Sequence, residues 1–269
     1  MSDFLIDASR RNMPAAFGGG AVIGVLGGLI GLGGAEFRLP LLISGFRFPA
    51  LQAAILNVSM SLIVSASALL FRSATVPFSQ IASHWLVVVN LLAGSLFGAW
   101  LGAGWATKIA SHAIYRVIAI MLLLIAVVLV FGHVTASGAL LTGAAQAVAG
   151  IVAGLIIGIV AGVLGIAGGE LLIPTLVLLF GIDIKLAGSL SLTTSLPTML
   201  FGFARYSRDP NFVVLGENRG FVAIMTLGSI FGTFIGGQLL GILPTSVLLP
   251  LLALILVVSA IKVWRHRQP

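Results

Sequence analysis

Apolar residues fall along this chain in uninterrupted blocks of roughly 17 to 25 positions, the length that crosses a hydrocarbon core as helix. Charged side chains mark the breaks between them: Arg38 and Arg47 interrupt the first half, and Lys108, His112 and Arg116 the middle. The pattern predicts full spans near 51–71, 85–106 and 114–132, then near 186–203, 221–243 and 247–263. Ahead of each trio stands a glycine-rich helix (15–30 and 140–164), a glycine break and a short apolar piece ending in a turn. The connection between the halves falls near 133–137.

The second half repeats the first. Sliding the chain by 134 positions places Gly20, Gly24, Gly28, Gly31, Gly34, Glu36 and Pro40 on Gly154, Gly158, Gly162, Gly165, Gly168, Glu170 and Pro174, without a gap. Ala53 falls on Ala187 and Ser61 on Ser195, and Gly94, Ser95, Phe97, Gly98 and Gly102 fall on Gly228, Ser229, Phe231, Gly232 and Gly236. About two glycine-on-glycine matches are expected by chance, and eight occur, so duplication is a better account than biased composition. The predicted fold is an all-α membrane protein, a polytopic helical bundle of two homologous halves, 1–133 and 134–269.

The short piece decides the topology. Residues 37–44 rise only about 12 Å as helix and cannot cross a core of about 30 Å alone. It either completes the first helix as a broken span, giving four crossings per half and parallel repeats, or returns as a hairpin, giving three net crossings and inverted repeats. Lys and Arg accumulate on the cytoplasmic side. With the N-terminus inside, the broken-span arrangement divides the 14 basic residues nine inside against five outside. The hairpin arrangement leaves only Arg72 and Lys185 outside, with Arg10, Arg11, Arg38, Arg47, Lys108, Arg116, Arg205, Arg208, Arg219, Lys262, Arg265 and Arg267 inside. Inverted repeats are therefore favoured, with both termini cytoplasmic.

Composition narrows the function. Only 8% of residues are charged, against roughly a quarter in a soluble domain, so this surface faces lipid. The formal charge of +7 is spread singly between apolar segments or sits at the two ends, a topogenic distribution that does not make the basic, aromatic-laced face of a nucleic-acid binder. With no cysteine, disulfides, thiolate metal sites and Cys nucleophiles are excluded. The N-terminus, with Asp3, Asp7, Arg10 and Arg11 before an apolar run, does not read as a cleaved signal peptide. There is no His-Glu-x-x-His motif, no phosphate loop and no His pair to orient a nucleophile, so neither catalysis nor a cofactor or metal is expected. The dispersed His84, His112, His133 and His266 read as interface residues.

The repeated element carries the chemistry: Gly31-Leu-Gly33-Gly34-Ala-Glu36-Phe-Arg38-Leu-Pro40, and Gly165-Ile-Ala-Gly168-Gly169-Glu170-Leu-Leu-Ile-Pro174. Unwound backbone at membrane depth is tolerated only where protein or a polar cavity surrounds it. The short helix after each break would aim its amides and positive dipole end at the cavity, which suits an anion. Glu36 and Glu170, at one repeat position, are candidates for proton coupling; alternatively each caps its short helix. Arg38, whose copy is Leu172, is either an anion ligand or a side chain snorkelling to the interface, the latter slightly preferred. Asn57, Ser59 and Ser61, with Ser191, Thr193, Thr194 and Ser195, either line an anion path or bond between helices. Gly94, Gly98 and Gly102 with their copies recur every four residues and read as a packing face.

The glycine break, Glu and Pro element, present twice in a chain of this size, resembles the TauE/SafE sulfite exporter family within the toluene-sulfonate uptake permease superfamily, and the resemblance covers nearly the whole chain. It implies a permease of the bacterial inner membrane that moves sulfite or an organosulfonate such as sulfoacetate, usually outward. Ala35 and Ala167 stand where the family pattern is glycine-rich. The expected partners are a small anionic substrate and the bilayer, with no nucleic acid and a homo-oligomer left open. The expected activity is secondary transport by alternating access; an uncoupled channel and a non-transporting scaffold are the competing readings.

Overall fold

The computed structural model describes residues 12–30, 33–73, 76–109, 111–131, 139, 141–238, 254, 257–258, 260–261 and 263–265, and all regular structure among them is helical. The elements in chain order are α1 (Met13–Ile30), α2 (Ala35–Pro40), α3 (Ala50–Arg72), α4 (Phe78–Ser83), α5 (Trp85–Ala106), α6 (Ser111–Phe131), α7 (Gly143–Leu164), α8 (Gly169–Phe180), α9 (Ile184–Tyr206), α10 (Val213–Glu217) and α11 (Arg219–Gln238). Of these α3, α5, α7 and α11 are long and apolar enough to cross a membrane. The predicted spans 51–71, 85–106, 114–132, 186–203 and 221–243 coincide with α3, α5, α6, α9 and α11 over their described parts. The 133–137 connection and most of the 247–263 span lie outside the described residues.

Each glycine-rich helix is followed by a reversal. Gly33 and Gly34 adopt left-handed φ angles of 80° and 74°, which glycine reaches without steric cost. The chain folds back so that Gly34 lies against the Ile23 carbonyl and against Gly27 of α1. Then α2 runs on through a π-helical turn, Leu41–Gly45. In the second half Gly165 and Gly168 are left-handed at 62° and 71°. Gly168 returns to Ile157 and Ala161 of α7, ahead of α8. The short pieces thus form hairpins with the helices before them. The first runs on past the predicted 37–44 through its π turn, which accommodates Pro40, whose ring removes a donor; the second, α8, continues as α-helix past Pro174 to Phe180.

Glycine stripes set the packing between helices. Gly20, Gly24 and Gly28 of α1 lie on the carbonyls of Met225, Ser229 and Thr233 of α11, and Gly228 and Gly232 of α11 lie on those of Phe17 and Ala21. Gly154, Gly158 and Gly162 of α7 meet the carbonyls of Leu91, Ser95 and Ala99 of α5, and Gly94 and Gly98 meet those of Ile151 and Leu155. Every contact in the first pair recurs in the second at an offset of 134. Small residues let backbones approach closely, which is how helices gain packing energy in lipid, where no hydrophobic force drives them together. Gly94, Gly98 and Gly102 are thus packing residues.

Helix directions follow from which residues meet. The contacts above ascend together, so α1 runs parallel to α11 and α5 parallel to α7. Arg72, at the end of α3, donates to the Lys185 carbonyl at 2.9 Å and to Ser189 Oγ at 3.3 Å, at the start of α9. Val58 near the start of α3 shares a narrow crevice with Thr198, Gly202 and Tyr206 near the end of α9. α3 and α9 are therefore antiparallel. One end of the bundle gathers the starts of α3, α6 and α11 and the ends of α5 and α9, bringing Arg47, Lys108, Arg116, Arg205, Arg208 and Arg219 to one side. Arg72 and Lys185 lie at the other. Met13 beside Gly220 and Trp264 beside Arg116 put the described start and end of the chain at the basic end.

Candidate functional site

The first break is built around a buried cation. Arg38, fully buried, donates from Nη1 to Ser61 Oγ at 3.0 Å and from Nη2 to Ser229 Oγ and to the Gly33 carbonyl, both at 3.3 Å. One guanidinium, presenting five donors in a rigid fork, so ties the hairpin to α3 and α11. The expectation that Arg38 snorkels to the interface is corrected. Its α-carbon sits on a hairpin enclosed by α3 and α11, and the fork finds three acceptors there, whereas snorkelling serves side chains near helix ends. Leu172, the copy of Arg38, is also buried.

Glu36 lies fully buried in the first turn of α2, within electrostatic reach of Arg38. With only six residues ahead of the π turn, α2 is a short dipole, so the positive charge at this break comes chiefly from Arg38. Asn57 donates from Nδ2 to the Ala35 carbonyl at 3.0 Å. Arg38 Nε, Ser65 Oγ, Thr226 Oγ1 and Thr233 Oγ1 are buried without a hydrogen-bond partner among the described residues. Ser65 Oγ faces Gly33, where an added Cβ would lie 3.2 Å away.

The second break has no cation in the place of Arg38, where Leu172 stands. Ser195 donates to the Ala167 carbonyl at 2.6 Å. Ser95 and Thr198 share a hydrogen bond of 2.7 Å. Gly165 packs on the Ala54 carbonyl of α3, and Gly169 begins α8. Ser61 and Ser195 are each the twelfth residue of a 23-residue helix, so both breaks are held at mid-length of the antiparallel α3 and α9.

The polar residues predicted from sequence divide accordingly. Asn57, Ser61 and Ser195 reach the breaks, together with Gly33, Gly34, Glu36, Arg38, Gly165, Gly168 and Gly169. Ser59, Ser191, Thr193 and Thr194 turn their hydroxyls onto carbonyls of their own helices, those of Ile55, Gly188, Ser189 and Leu190. Gly31 and the side chain of Glu170 lie outside the described residues. Sequence reasoning passed over Ser229, Ser65 and Tyr206. Ser229 matches Ser95 across the repeats, but its place in a glycine stripe reads as packing; Tyr206 carries no local signal. The chemistry available is that of oxyanion binding: a guanidinium and hydroxyls in a closed interior. No group of His, Cys, Asp and Glu able to hold a metal ion occurs among the described residues.

A family model described as sulfite exporter TauE/SafE matches residues 16–263. No curated protein and no solved structure matches the chain.

Proposed function

The chain belongs to the sulfite exporter TauE/SafE family, and from that premise we propose that it is a secondary transporter that carries sulfite or a small organosulfonate outward past Arg38. The family comprises multi-pass membrane transporters rather than enzymes. The observation that carries the reading is the fully buried guanidinium of Arg38 spanning Ser61, Ser229 and the Gly33 carbonyl at mid-length of α3. A charge at that depth is costly and marks an ion pathway, and a fork of N–H donors matches the oxygens of a sulfite or sulfonate group.

The chain is read as two inverted repeats, 1–133 and 134–269, each a hairpin followed by three spans. Two observations support it. The glycine contacts recur at an offset of 134, and the equivalent helices α3 and α9 run antiparallel; parallel repeats, related by an axis along the membrane normal, would hold them parallel. Inverted repeats suit alternating access, in which one bundle rocks against the other around a fixed site. The basic end is cytoplasmic, with both termini there, in the bacterial inner membrane.

Glu36 couples this site to protons. Ionised, it offsets the Arg38 charge and leaves little to attract an anion; protonated, it leaves the guanidinium for the substrate. Anion and proton would then bind together. The proton cancels one negative charge, so the membrane potential acts only on whatever charge the anion carries beyond it, by about 2.3 kcal/mol per charge per 100 mV. The test is uptake of radiolabelled sulfite, sulfoacetate and sulfate into liposomes holding the purified protein, with and without a pH gradient. Flux of one anion accelerated by the gradient is expected; gradient-independent flux marks an uncoupled facilitator, and no flux of any of them removes the proposal.

A further inference from the structure

At the basic end of the bundle two cations share one aromatic ring. The guanidinium carbons of Arg205 and Arg208 lie 5.8 and 4.8 Å from the ring centroid of Trp100, within the range of cation–π attraction. Trp100 belongs to the last two turns of α5, and the arginines lie at and just past the end of α9. Gly104, one turn beyond Trp100, makes room for Arg205: a Cβ there would lie 2.8 Å from Arg205 Nε. The carboxylate of Asp209, next to Arg208, accepts through Oδ1 from Asn211 N and Nδ2, both at 2.8 Å, within its own turn. Two like charges are thus gathered on one indole, and a ring that attracts each does not cancel their mutual repulsion. An anion would.

The offset of 134 shows that this arrangement belongs to one end alone. Trp100 corresponds to Phe234, Arg205 to Phe71 and Gly104 to Gln238. At the opposite end of the bundle the equivalent contact is an edge-on Phe71–Phe234 pair at 5.5 Å. The fold packs this position with two aromatic rings, so the arginines are not needed to close it. Below the cationic pair, toward the middle of the helices, Phe97, Leu101 and Phe201 are exposed apolar side chains, as a lipid-facing surface requires. A charged head above an apolar face at the level where tryptophan sits in membranes is the shape of a phospholipid.

We propose that Trp100, Arg205 and Arg208 form a binding site for the phosphate headgroup of an anionic phospholipid, with its acyl chains on the Phe97, Leu101 and Phe201 face. The site is separate from Arg38 and does not depend on what is transported.

Native mass spectrometry of the purified protein, loaded with phosphatidylglycerol or with phosphatidylcholine of the same chains, tests this. The wild type retains phosphatidylglycerol in preference. The Arg205→Gln/Arg208→Gln pair weakens that retention by about thirtyfold, the worth of two basic residues near an anionic surface. The Arg205→Lys/Arg208→Lys pair keeps most of it, and the Arg219→Gln/Arg265→Gln pair, an equal charge change at the same end, leaves it unchanged. Equal retention of the two lipids, equal loss from both glutamine pairs, or stripping of the adducts by millimolar inorganic phosphate would each overturn the proposal.

Discussion

Tyr206 donates its hydroxyl to the main-chain carbonyl of Gly162 at 2.6 Å and lies 3.4 Å from that of Val163. These carbonyls belong to the last turn of α7, where a helix has no further amides of its own to offer. Ile166 N satisfies the Ala161 carbonyl, and the buried phenol serves the next two, so the end of α9 closes the end of α7 beside the second break. Tyr206→Phe keeps the ring and leaves the carbonyls unserved. A loss of about 1–3 kcal/mol is expected, read as a melting temperature lower by about 2–4 °C per kcal/mol. An unchanged melting temperature would show that water reaches this turn.

The glycine stripes predict a matched pair of defects. A methyl group at Gly24 would strike the Ser229 carbonyl, and one at Gly158 the Ser95 carbonyl, the same contact at an offset of 134. Backbone must yield in both. Gly24→Ala and Gly158→Ala should each destabilise by about 1–3 kcal/mol, and by similar amounts, whereas Gly202 and Gly216, with nothing within 4 Å of an added Cβ, should accept alanine without that penalty. Thermal unfolding of the four purified variants checks this directly.

Arg38 and Glu36 have separable signatures. Arg38→Gln removes the cation from the first break, and charge-assisted hydrogen bonds of about 1.5–3 kcal/mol go with it. That corresponds to roughly a tenfold to hundredfold rise in KM for the transported anion. Glu36→Gln resembles the protonated acid, so transport should persist while its dependence on an imposed pH gradient disappears. Gradient-driven uptake undiminished in Glu36→Gln would exclude this carboxylate from coupling.

What the sequence made legible was periodic or repeated, and what it concealed was partnership. Apolar blocks mark α3, α5, α9 and α11 because a span must be long and uncharged whatever surrounds it. The four-residue spacing of Gly20, Gly24 and Gly28 announces close approach but not that α11, some 200 residues on, is what approaches. Arg38 was misread for the same reason: its acceptors Ser61 and Ser229 lie 23 and 191 residues away, beyond any local pattern. Arg47 shows structure outlasting sequence. It takes φ 58°, a left-handed conformation rare outside glycine, and its copy Gly181 takes φ 66°. The turn into α3 shares the backbone of the turn into α9, although only the latter has the residue that makes it easy.

Ser73 and Ser207 give the sharpest test of inversion. They are related by the offset of 134 and cap the ends of the equivalent helices α3 and α9. Because α3 and α9 run antiparallel, these two positions lie at opposite ends of the bundle, Ser73 beside Arg72 and Ser207 between Arg205 and Arg208. The chain has no cysteine, so Ser73→Cys and Ser207→Cys each place one thiol against a silent background. In right-side-out vesicles a membrane-impermeant maleimide should label Ser73→Cys at once and Ser207→Cys only after the membrane is opened, with inside-out vesicles giving the reverse. Reaction of both from one side would mean that equivalent helices end on the same face, and neither the inverted repeats nor the alternating access built on them would survive that result.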